Sequence, residues 1–369
     1  MRKVFAFILL LLFIFSSGAV NVSALSAKAA AVINGDTGEL IISRNSDEAL
    51  PMASTTKIMT ALLLCENLSP DKNITVTKQM VAVEGSSMGL LPGDSVSAND
   101  LLYGMMLASG NDAANTAAIA VSGSVESFVE LMNKRAREMG LVKTSFKTPS
   151  GLDGDGHCTT AYELALLARQ ALLNPRFAKA AASKSATLCY GNPLYKRTLK
   201  NHNKLLNMYD DVVGVKTGFT KKSGRCLVSA AKRDGKFVIA VTLNDPDDWA
   251  DHRQLLDTGF SALTTVRIAP EKSDFGVVTA HFSKDKINIT VPEKEISVLS
   301  NADVDMKIDL PEFVYAPVKK GEKIGSVTYY LEGKPLFSEN INSPCDVKNE
   351  NTGRIKSAAE FFKYMLSTI

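Results

Sequence analysis

The sequence contains few of the residues that cross-link a fold or bind a metal. Its 369 residues include only five cysteines and four histidines, which are scattered along the chain and lack the spacing of metal ligands. An odd, dispersed set of cysteines does not form a disulfide framework. We therefore expect neither a metal site nor a cofactor.

The chain also lacks an excess of charge of one sign. It carries 42 basic and 39 acidic side chains, and without Arg2 and Lys3 the balance is 40 to 39. A nearly neutral chain gives no reason to expect nucleic acid as a partner. The apolar fraction of 45% is that of an ordinary globular protein, and the length suffices for one large domain and a smaller one.

One long apolar run is present, at the N-terminus. Arg2 and Lys3 precede an uninterrupted apolar stretch over residues 4–15, and Val22-Ser23-Ala24 offers small residues for cleavage. This pattern predicts a secretory signal peptide over residues 1–24, cut after Ala24, and hence an exported protein. An uncleaved membrane anchor is the alternative.

The order of predicted elements indicates an α+β domain over residues 25–269. Two strands flank the turn at residues 34–38, and three more fall between Val213 and Asn244, the last two joined by Asp234-Gly235. The segments between these two groups are mostly helical. We therefore expect an antiparallel sheet whose first and last strands meet, flanked by helices and carrying an inserted helical cluster.

The composition changes near Pro270. Alternating apolar and polar residues over 303–310 predict a small all-β domain over residues 270–345. Residues 346–369 read as a polar linker followed by an amphipathic helix, with Phe362, Met365 and Leu366 on its apolar face. We expect this helix to lie on a membrane surface, although packing on the β domain is the alternative.

Ser54 and Lys57 form the first candidate catalytic pair. Three residues apart on a helix, the hydroxyl and the amine share one face. A serine hydroxyl becomes a nucleophile when a neighbouring base takes its proton, and burial or nearby positive charge makes lysine such a base. The apolar run over residues 58–64 is suited to burying that amine. Three other Ser-x-x-Lys pairs occur, so this spacing alone equally fits a polar helix start.

Two further motifs follow in the chain. Ser109 and Asn111 sit at a glycine break between two apolar helical runs, where a helix cap is the structural alternative. Lys216-Thr217-Gly218 lies on a predicted strand, where a cation, a hydroxyl and a glycine suit the close approach of an extended substrate. His157 precedes a helix and is expected to have a local structural role rather than a catalytic one.

Together the three motifs resemble those of one family. Ser-x-x-Lys, Ser-x-Asn and Lys-Thr-Gly, in this order in an exported protein, are the motifs of penicillin-binding proteins and class A β-lactamases. The flanking sequences, listed next, extend the resemblance to the low-molecular-weight penicillin-binding proteins, the serine D-alanyl-D-alanine carboxypeptidases of peptidase family S11. They are residues 51–57, 85–88, 107–114, 151–157 and 214–218.

The resemblance implies the fold of the β-lactamases and DD-peptidases, and removal of the terminal D-Ala from peptidoglycan stem peptides at the outer face of the cytoplasmic membrane. It implies Ser54 as nucleophile and Lys57 as base, with Ser109 protonating the leaving amine. Asn111, Lys216, Thr217 and Gly218 would bind substrate, and the backbone N–H groups of Ser54 and Phe219 would hold the oxyanion. β-Lactam antibiotics would acylate Ser54 in the same way.

Two departures from the family pattern stand out. Phe219 follows Lys-Thr-Gly where some members have histidine, and the arginine that often binds the substrate carboxylate has only Arg253 as a nearby candidate, in a doubtful register. A β-lactamase is disfavoured because residues 112–215 contain no Glu-x-x-Leu-Asn pattern. A β-lactam-sensing or wall-binding receptor without turnover, and a transpeptidase, share these motifs and stay open.

Overall fold

A computed structural model describes residues 25–270, 276–300, 302–350 and 365–366 of the chain. The chain divides into two compact units, one ending at Ala262 and one beginning at Leu263. None of the helices within the described ranges is long and apolar enough to cross a membrane. The predicted signal peptide lies outside these residues, as does almost all of the predicted C-terminal helix.

The first unit is built on a five-stranded antiparallel sheet in the order β2-β1-β9-β8-β7. Its strands are β1 (Ala29–Asn34), β2 (Leu40–Arg44), β7 (Val212–Thr220), β8 (Gly224–Arg233) and β9 (Lys236–Leu243). β1 pairs with β9 from Ala29↔Leu243 to Asn34↔Val238. The two ends of the domain sequence therefore meet in the middle of the sheet, as predicted, and β7 is an edge strand.

Helices pack on this sheet and form a cluster beside it. They are α1 (Lys57–Asn67), α2 (Ala98–Met106), α3 (Asn111–Ser122), α4 (Val125–Glu138), α5 (Ala161–Leu172), α6 (Pro175–Ala182), α7 (Leu205–Met208) and α8 (Asp248–Ala262). Ser97 caps α2 in a reciprocal capping box with Asp100, and Thr160 caps α5 by accepting from the Glu163 N–H. Both starts have the Ser/Thr-x-x-Asp/Glu spacing that is typical of helix N-termini.

The first unit also contains a four-stranded sheet that the sequence pattern does not predict. This sheet contains β3 (Asn73–Thr75), β4 (Ser95–Ser97), β5 (Ser185–Gly191) and β6 (Leu194–Lys200), in that order. β4 and β5 meet through one residue pair, Ser95↔Gly191, far apart in sequence. Such a short non-local contact leaves no periodic pattern from which it can be predicted.

Between Leu263 and Asn342, the described residues of the second unit form strands and the segments that connect them. The strands are β10 (Leu263–Ile268), β11 (Val277–His281), β12 (Lys286–Asn288), β13 (Lys294–Leu299), β14 (Val304–Asp309), β15 (Phe313–Tyr315), β16 (Lys323–Leu331) and β17 (Lys334–Asn342). Its own core includes Val298, Val327 and Tyr329. β10 pairs with β13, so this unit begins at Leu263, whereas composition places the domain boundary between residues 269 and 270.

Candidate active site

Ser54 lies on a 3₁₀ turn, Ala53–Thr56, that runs directly into α1. Lys57 is the first residue of α1 and its side chain is fully buried. The Lys57 Nζ lies 3.0 Å from the Ser54 Oγ, so the structure brings the two residues together as the spacing predicts. The buried run Ile58–Leu64 on the same helix anchors this turn in the core.

Three oxygen atoms surround the Lys57 amine. Besides the Ser54 Oγ, the Nζ donates to the Asn111 Oδ1 at 2.7 Å and to the Ser150 carbonyl at 2.6 Å. The Asn111 Nδ2 donates to the Glu84 carbonyl, which fixes the amide with its oxygen towards Lys57. Because Asn111 Oδ1 and Ser150 O only accept, they take both hydrogens of a neutral amine. The lone pair is then left for the Ser54 hydroxyl.

Burial sets the protonation of this amine. Desolvation lowers the pKa of Lys57 well below its usual value, and the charge of Lys216 lowers it further, while the nearby Asp112 opposes both effects. Lys216 is also buried, and desolvation lowers its pKa to about 7. The site therefore favours a neutral Lys57 that is able to take a proton.

The second motif lies at the junction of α2 and α3. Ser109 is buried, adopts a positive φ of 56° and lines the same cleft as Ser54. Asn111 begins α3, where its amide contacts Lys57 rather than capping the helix. The helix-cap alternative for Ser109 and Asn111 is therefore not what the structure shows.

The third motif lies on the edge strand β7. Thr217, Gly218 and Phe219 line the cleft, and the Lys216 Nζ donates to the Thr217 carbonyl at 2.9 Å. A Cβ on Gly218 would lie 3.0 Å from the Ser54 nitrogen and 3.1 Å from the Met52 carbonyl oxygen. Any side chain here would push β7 and the nucleophile turn apart by a few tenths of an ångström, so glycine favours their close approach.

The cleft has a volume of about 300 Å³. All three motifs contribute to its lining, and five further residues complete it. These five are Ser86, His202, Arg225, Asp248 and Trp249. Ser86 falls within the stretch 85–88 that resembles the family, whereas no motif marks the other four. Only the β7–β8 register, which places Arg225 opposite Phe219, points to one of them in retrospect.

Arg225 brings a permanent positive charge to this cleft. Its Nη2 donates to the Asp248 Oδ1 at 2.6 Å, and its guanidinium lies 5.4 Å from the centre of the Trp249 ring. Arg253, the candidate considered from the sequence, instead pairs with Asp257 and stacks on Tyr209. Arg253 does not line the cleft within the described part of the chain.

His157 has the local structural role that the sequence predicts. Its Nε2 contacts the Thr56 hydroxyl at 2.8 Å, and its Nδ1 accepts from the Lys147 N–H at 2.9 Å. Burial lowers the pKa of His157 to about 4, so the ring is neutral at physiological pH. The described residues contain no cluster of three or more His, Cys, Asp or Glu side chains placed to hold a metal ion.

Comparison with known proteins shows the family. Residues 17–247 match the model of the D-alanyl-D-alanine carboxypeptidase family S11, and residues 264–349 match the C-terminal domain of penicillin-binding protein 5. D-alanyl-D-alanine carboxypeptidase DacF of Bacillus subtilis is 33% identical over 335 residues, covering 87% of this chain and 86% of that protein. DacC of Escherichia coli is 34% identical over 343 residues, covering 86% and 83%.

Solved structures agree with this similarity. Penicillin-binding protein 5 of Haemophilus influenzae aligns with a TM-score of 0.65 at 26% identity, over 89% of this chain and 100% of that one. The Streptomyces K15 DD-transpeptidase aligns with a TM-score of 0.63 at 32% identity, over 66% and 100%. These matches confirm the predicted α+β fold with a C-terminal β domain, and the chain belongs to the D-alanyl-D-alanine carboxypeptidases of peptidase family S11.

Proposed function

We propose that this protein removes the terminal D-alanine from peptidoglycan stem peptides ending in D-Ala-D-Ala, through an acyl-enzyme on Ser54. One observation carries the proposal: the buried Lys57 amine lies 3.0 Å from the Ser54 hydroxyl, with acceptors occupying its other positions. This arrangement supplies a nucleophile and a base in one helical turn. Curated relatives named as carboxypeptidases support turnover rather than a receptor that only becomes acylated.

Acylation begins when Ser54 Oγ attacks the carbonyl carbon of the penultimate D-Ala and its proton passes to Lys57 Nζ. The negative charge that develops on the carbonyl oxygen is held by the backbone N–H groups of Ser54 and Phe219. When the C–N bond breaks, Ser109 gives its proton to the departing amine and is reprotonated from Lys57. D-Alanine leaves, and the acyl group stays on Ser54 as an ester.

Substrate binding uses the edge of the sheet. The stem peptide lies in extended form along β7, at Thr217 and Gly218, where an edge strand offers unpaired backbone groups. Asn111 donates to the peptide backbone besides orienting Lys57. Lys216, on the same strand, adds positive charge next to Thr217.

The free carboxylate that defines a carboxypeptidase substrate needs a cation. Arg225 is the permanently charged cation among the residues that line the cleft, and on β8 it lies opposite Phe219, two residues along β7 from Thr217. Asp248 and Trp249 fix the orientation of the guanidinium. We assign the carboxylate to Arg225 and Thr217.

Water completes the cycle by hydrolysing the ester, with Lys57 again taking a proton. A β-lactam carries a strained amide and a carboxylate, so it acylates Ser54 by the same route. Its leaving group stays attached to the acyl group, which slows the approach of water. The apolar N-terminal run and the amphipathic C-terminal pattern support export and attachment to the outer face of the membrane.

The test is release of D-alanine from diacetyl-Lys-D-Ala-D-Ala by the mature protein. Steady release is the expected result. No release, combined with stable labelling of Ser54 by fluorescent penicillin, would contradict turnover and leave a receptor. Fast hydrolysis of penicillin without peptide turnover would indicate a β-lactamase.

A further inference from the structure

The peptide group between Ala53 and Ser54 has two functional ends. Its N–H belongs to Ser54, whose nitrogen lies close to Gly218 of β7. Its carbonyl belongs to Ala53, which is buried with a positive φ of 48°. Because a trans peptide is planar, the direction of the carbonyl fixes the direction of the N–H. Whatever holds the Ala53 carbonyl therefore also aims the Ser54 N–H.

A directional chain of hydrogen bonds ends on this carbonyl. The Lys147 N–H donates to the His157 Nδ1 at 2.9 Å, so in the neutral ring the proton sits on Nε2. The Nε2 then donates to the Thr56 Oγ1 at 2.8 Å. The Thr56 hydroxyl in turn donates to the Ala53 carbonyl at 2.8 Å.

Close packing removes other positions for the peptide group. A Cβ on Gly151 would lie 2.0 Å from the Ala53 oxygen and 2.9 Å from the Thr56 Oγ1, so the loop that carries His157 presses directly on the carbonyl. On the other side, Gly218 of β7 approaches the Ser54 nitrogen. The peptide is held between loop and strand, with its carbonyl on the loop side.

We propose that His157 and Thr56 are positioning residues for the oxyanion-binding N–H of Ser54, acting through the Ala53 carbonyl. This inference rests on the proposed function, in which that N–H stabilises the developing charge. A hydrogen bond to the carbonyl also polarises the peptide, which makes its N–H a stronger donor. Loss of an oxyanion donor costs about a hundredfold or more in rate, and misdirecting a donor that is still present costs part of that, about tenfold.

Four variants separate positioning from general support of the fold. Thr56→Val removes the hydroxyl at nearly constant shape. His157→Asn keeps an acceptor near the Nδ1 position but loses the donor to Thr56, whereas His157→Gln keeps a donor near the Nε2 position. Thr60→Val is the matched control, because the Thr60 hydroxyl makes a similar buried bond, 2.6 Å, from α1 to the Pro149 carbonyl of the same loop.

The measurements are the rate constant for acylation of Ser54 by penicillin, the infrared stretching frequency of the penicilloyl ester carbonyl, and the Tm of each protein. Thr56→Val and His157→Asn should acylate about tenfold more slowly and raise the carbonyl frequency, because a weaker hydrogen bond polarises the ester less. His157→Gln should stay near the wild type in both the acylation rate constant and the carbonyl frequency. Thr60→Val should lower the Tm as Thr56→Val does and leave the frequency unchanged.

An unchanged frequency in both Thr56→Val and His157→Asn would overturn the proposal, as would an equal shift in Thr60→Val. If Thr56→Val fails to fold, the comparison of His157→Asn with His157→Gln tests the proposal. The wild-type protein tests the proposed function separately. Absent D-alanine release there would refute the carboxypeptidase assignment whatever the variants show.

Discussion

At the scale of single residues, the site depends on two buried lysines with different tasks. Lys57 has one hydroxyl and two acceptors around its amine, whereas the Lys216 Nζ contacts the Thr217 carbonyl. Sequence spacing predicted that Lys57 meets Ser54. The Ser150 carbonyl was not predictable, because a backbone acceptor brought in by a loop leaves no trace in residue type.

The charge of Lys216 should shift the acid limb of the pH–rate profile to lower pH. Burial is the main cause that lowers the pKa of Lys57, and Lys216 lowers it further while protonated. Acylation needs neutral Lys57, so its rate rises with pH through the Lys57 pKa. Lys216→Gln should raise that pKa and move the limb to higher pH, as measured by penicillin acylation between pH 4 and 8. The exposed Lys221→Gln should not move it.

Arg225 should bind the free carboxylate of the substrate. Hydrogen bonds to charged groups contribute about 1.5–3 kcal/mol, so Arg225→Gln should lower kcat/KM for diacetyl-Lys-D-Ala-D-Ala about tenfold or more. The same change should have little effect on the peptide with a C-terminal amide. Arg253→Gln is the matched control, since Arg253 pairs with Asp257 outside the cleft lining. Equal losses on both peptides in Arg225→Gln would refute this role.

At the scale of elements, one wall of the cleft is a loop in which several backbone N–H groups converge on one carboxylate. Asp112, on the first turn of α3, accepts from the Ser87 hydroxyl and from the backbone N–H groups of residues 88–90. The same loop carries Ser86, which lines the cleft. The Glu84 carbonyl, just before it, orients Asn111. A well-ordered loop therefore holds Asn111 in place, and Asn111 in turn holds the Lys57 amine.

Asp112→Asn should disturb both stability and the site. The amide would face backbone donors with an NH₂ group, so we expect a loss of about 2 kcal/mol in the free energy of unfolding, measured with urea. Loss of the Asp112 charge also favours neutral Lys57, so labelling is compared above the Lys57 pKa, where this effect is small. There, labelling of Ser54 by fluorescent penicillin should slow. Asp100→Asn, which weakens the cap of α2, should lower stability without slowing the labelling. Normal labelling in Asp112→Asn would contradict the coupling.

Helices and strands were predictable where the sequence pattern that determines them is local. The hairpin β1–β2, the meander of β7, β8 and β9, and the caps at Ser97 and Thr160 follow from alternation and turn chemistry. The pairing of β4 with β5 and the presence of Arg225, Asp248 and Trp249 in the cleft depend on tertiary contacts. No spacing rule encodes such contacts.

At the scale of the whole molecule, buried histidines link stability to pH. His252 lies between the Ser229 and Thr242 hydroxyls, and burial lowers its pKa from 6.5 to about 3. Between these values the unfolded chain binds a proton that the folded chain does not. Stability from this group is therefore complete above about pH 6.5 and falls as the pH drops towards 3.

His252→Asn should remove this contribution. The difference in unfolding free energy between the wild type and the variant should shrink as the pH is lowered from 7 to 4, as measured by urea unfolding. Burial raises the pKa of Asp245 to about 6, which makes the fold more stable as the pH falls. This opposite trend is present in both proteins, so it cancels in the difference between their unfolding free energies. A difference that stays constant over this range would contradict the account.

The order of segments was the most predictable feature of the whole chain. Three weak motifs in sequence led to the family, and the structure joins all of them in one cleft. The start of the β unit at Leu263 was harder to place, because among the described strands β10 pairs only with the distant β13.

The central claim is that Ser54 is the nucleophile and Lys57 its base. Release of D-alanine from diacetyl-Lys-D-Ala-D-Ala, compared among the wild type, Ser54→Ala and Lys57→Ala, tests it most directly. We predict steady release by the wild type. Both variants should keep the Tm of the wild type and release D-alanine slower by a factor of about a thousand or more. Substantial release by a folded Ser54→Ala protein would contradict the account.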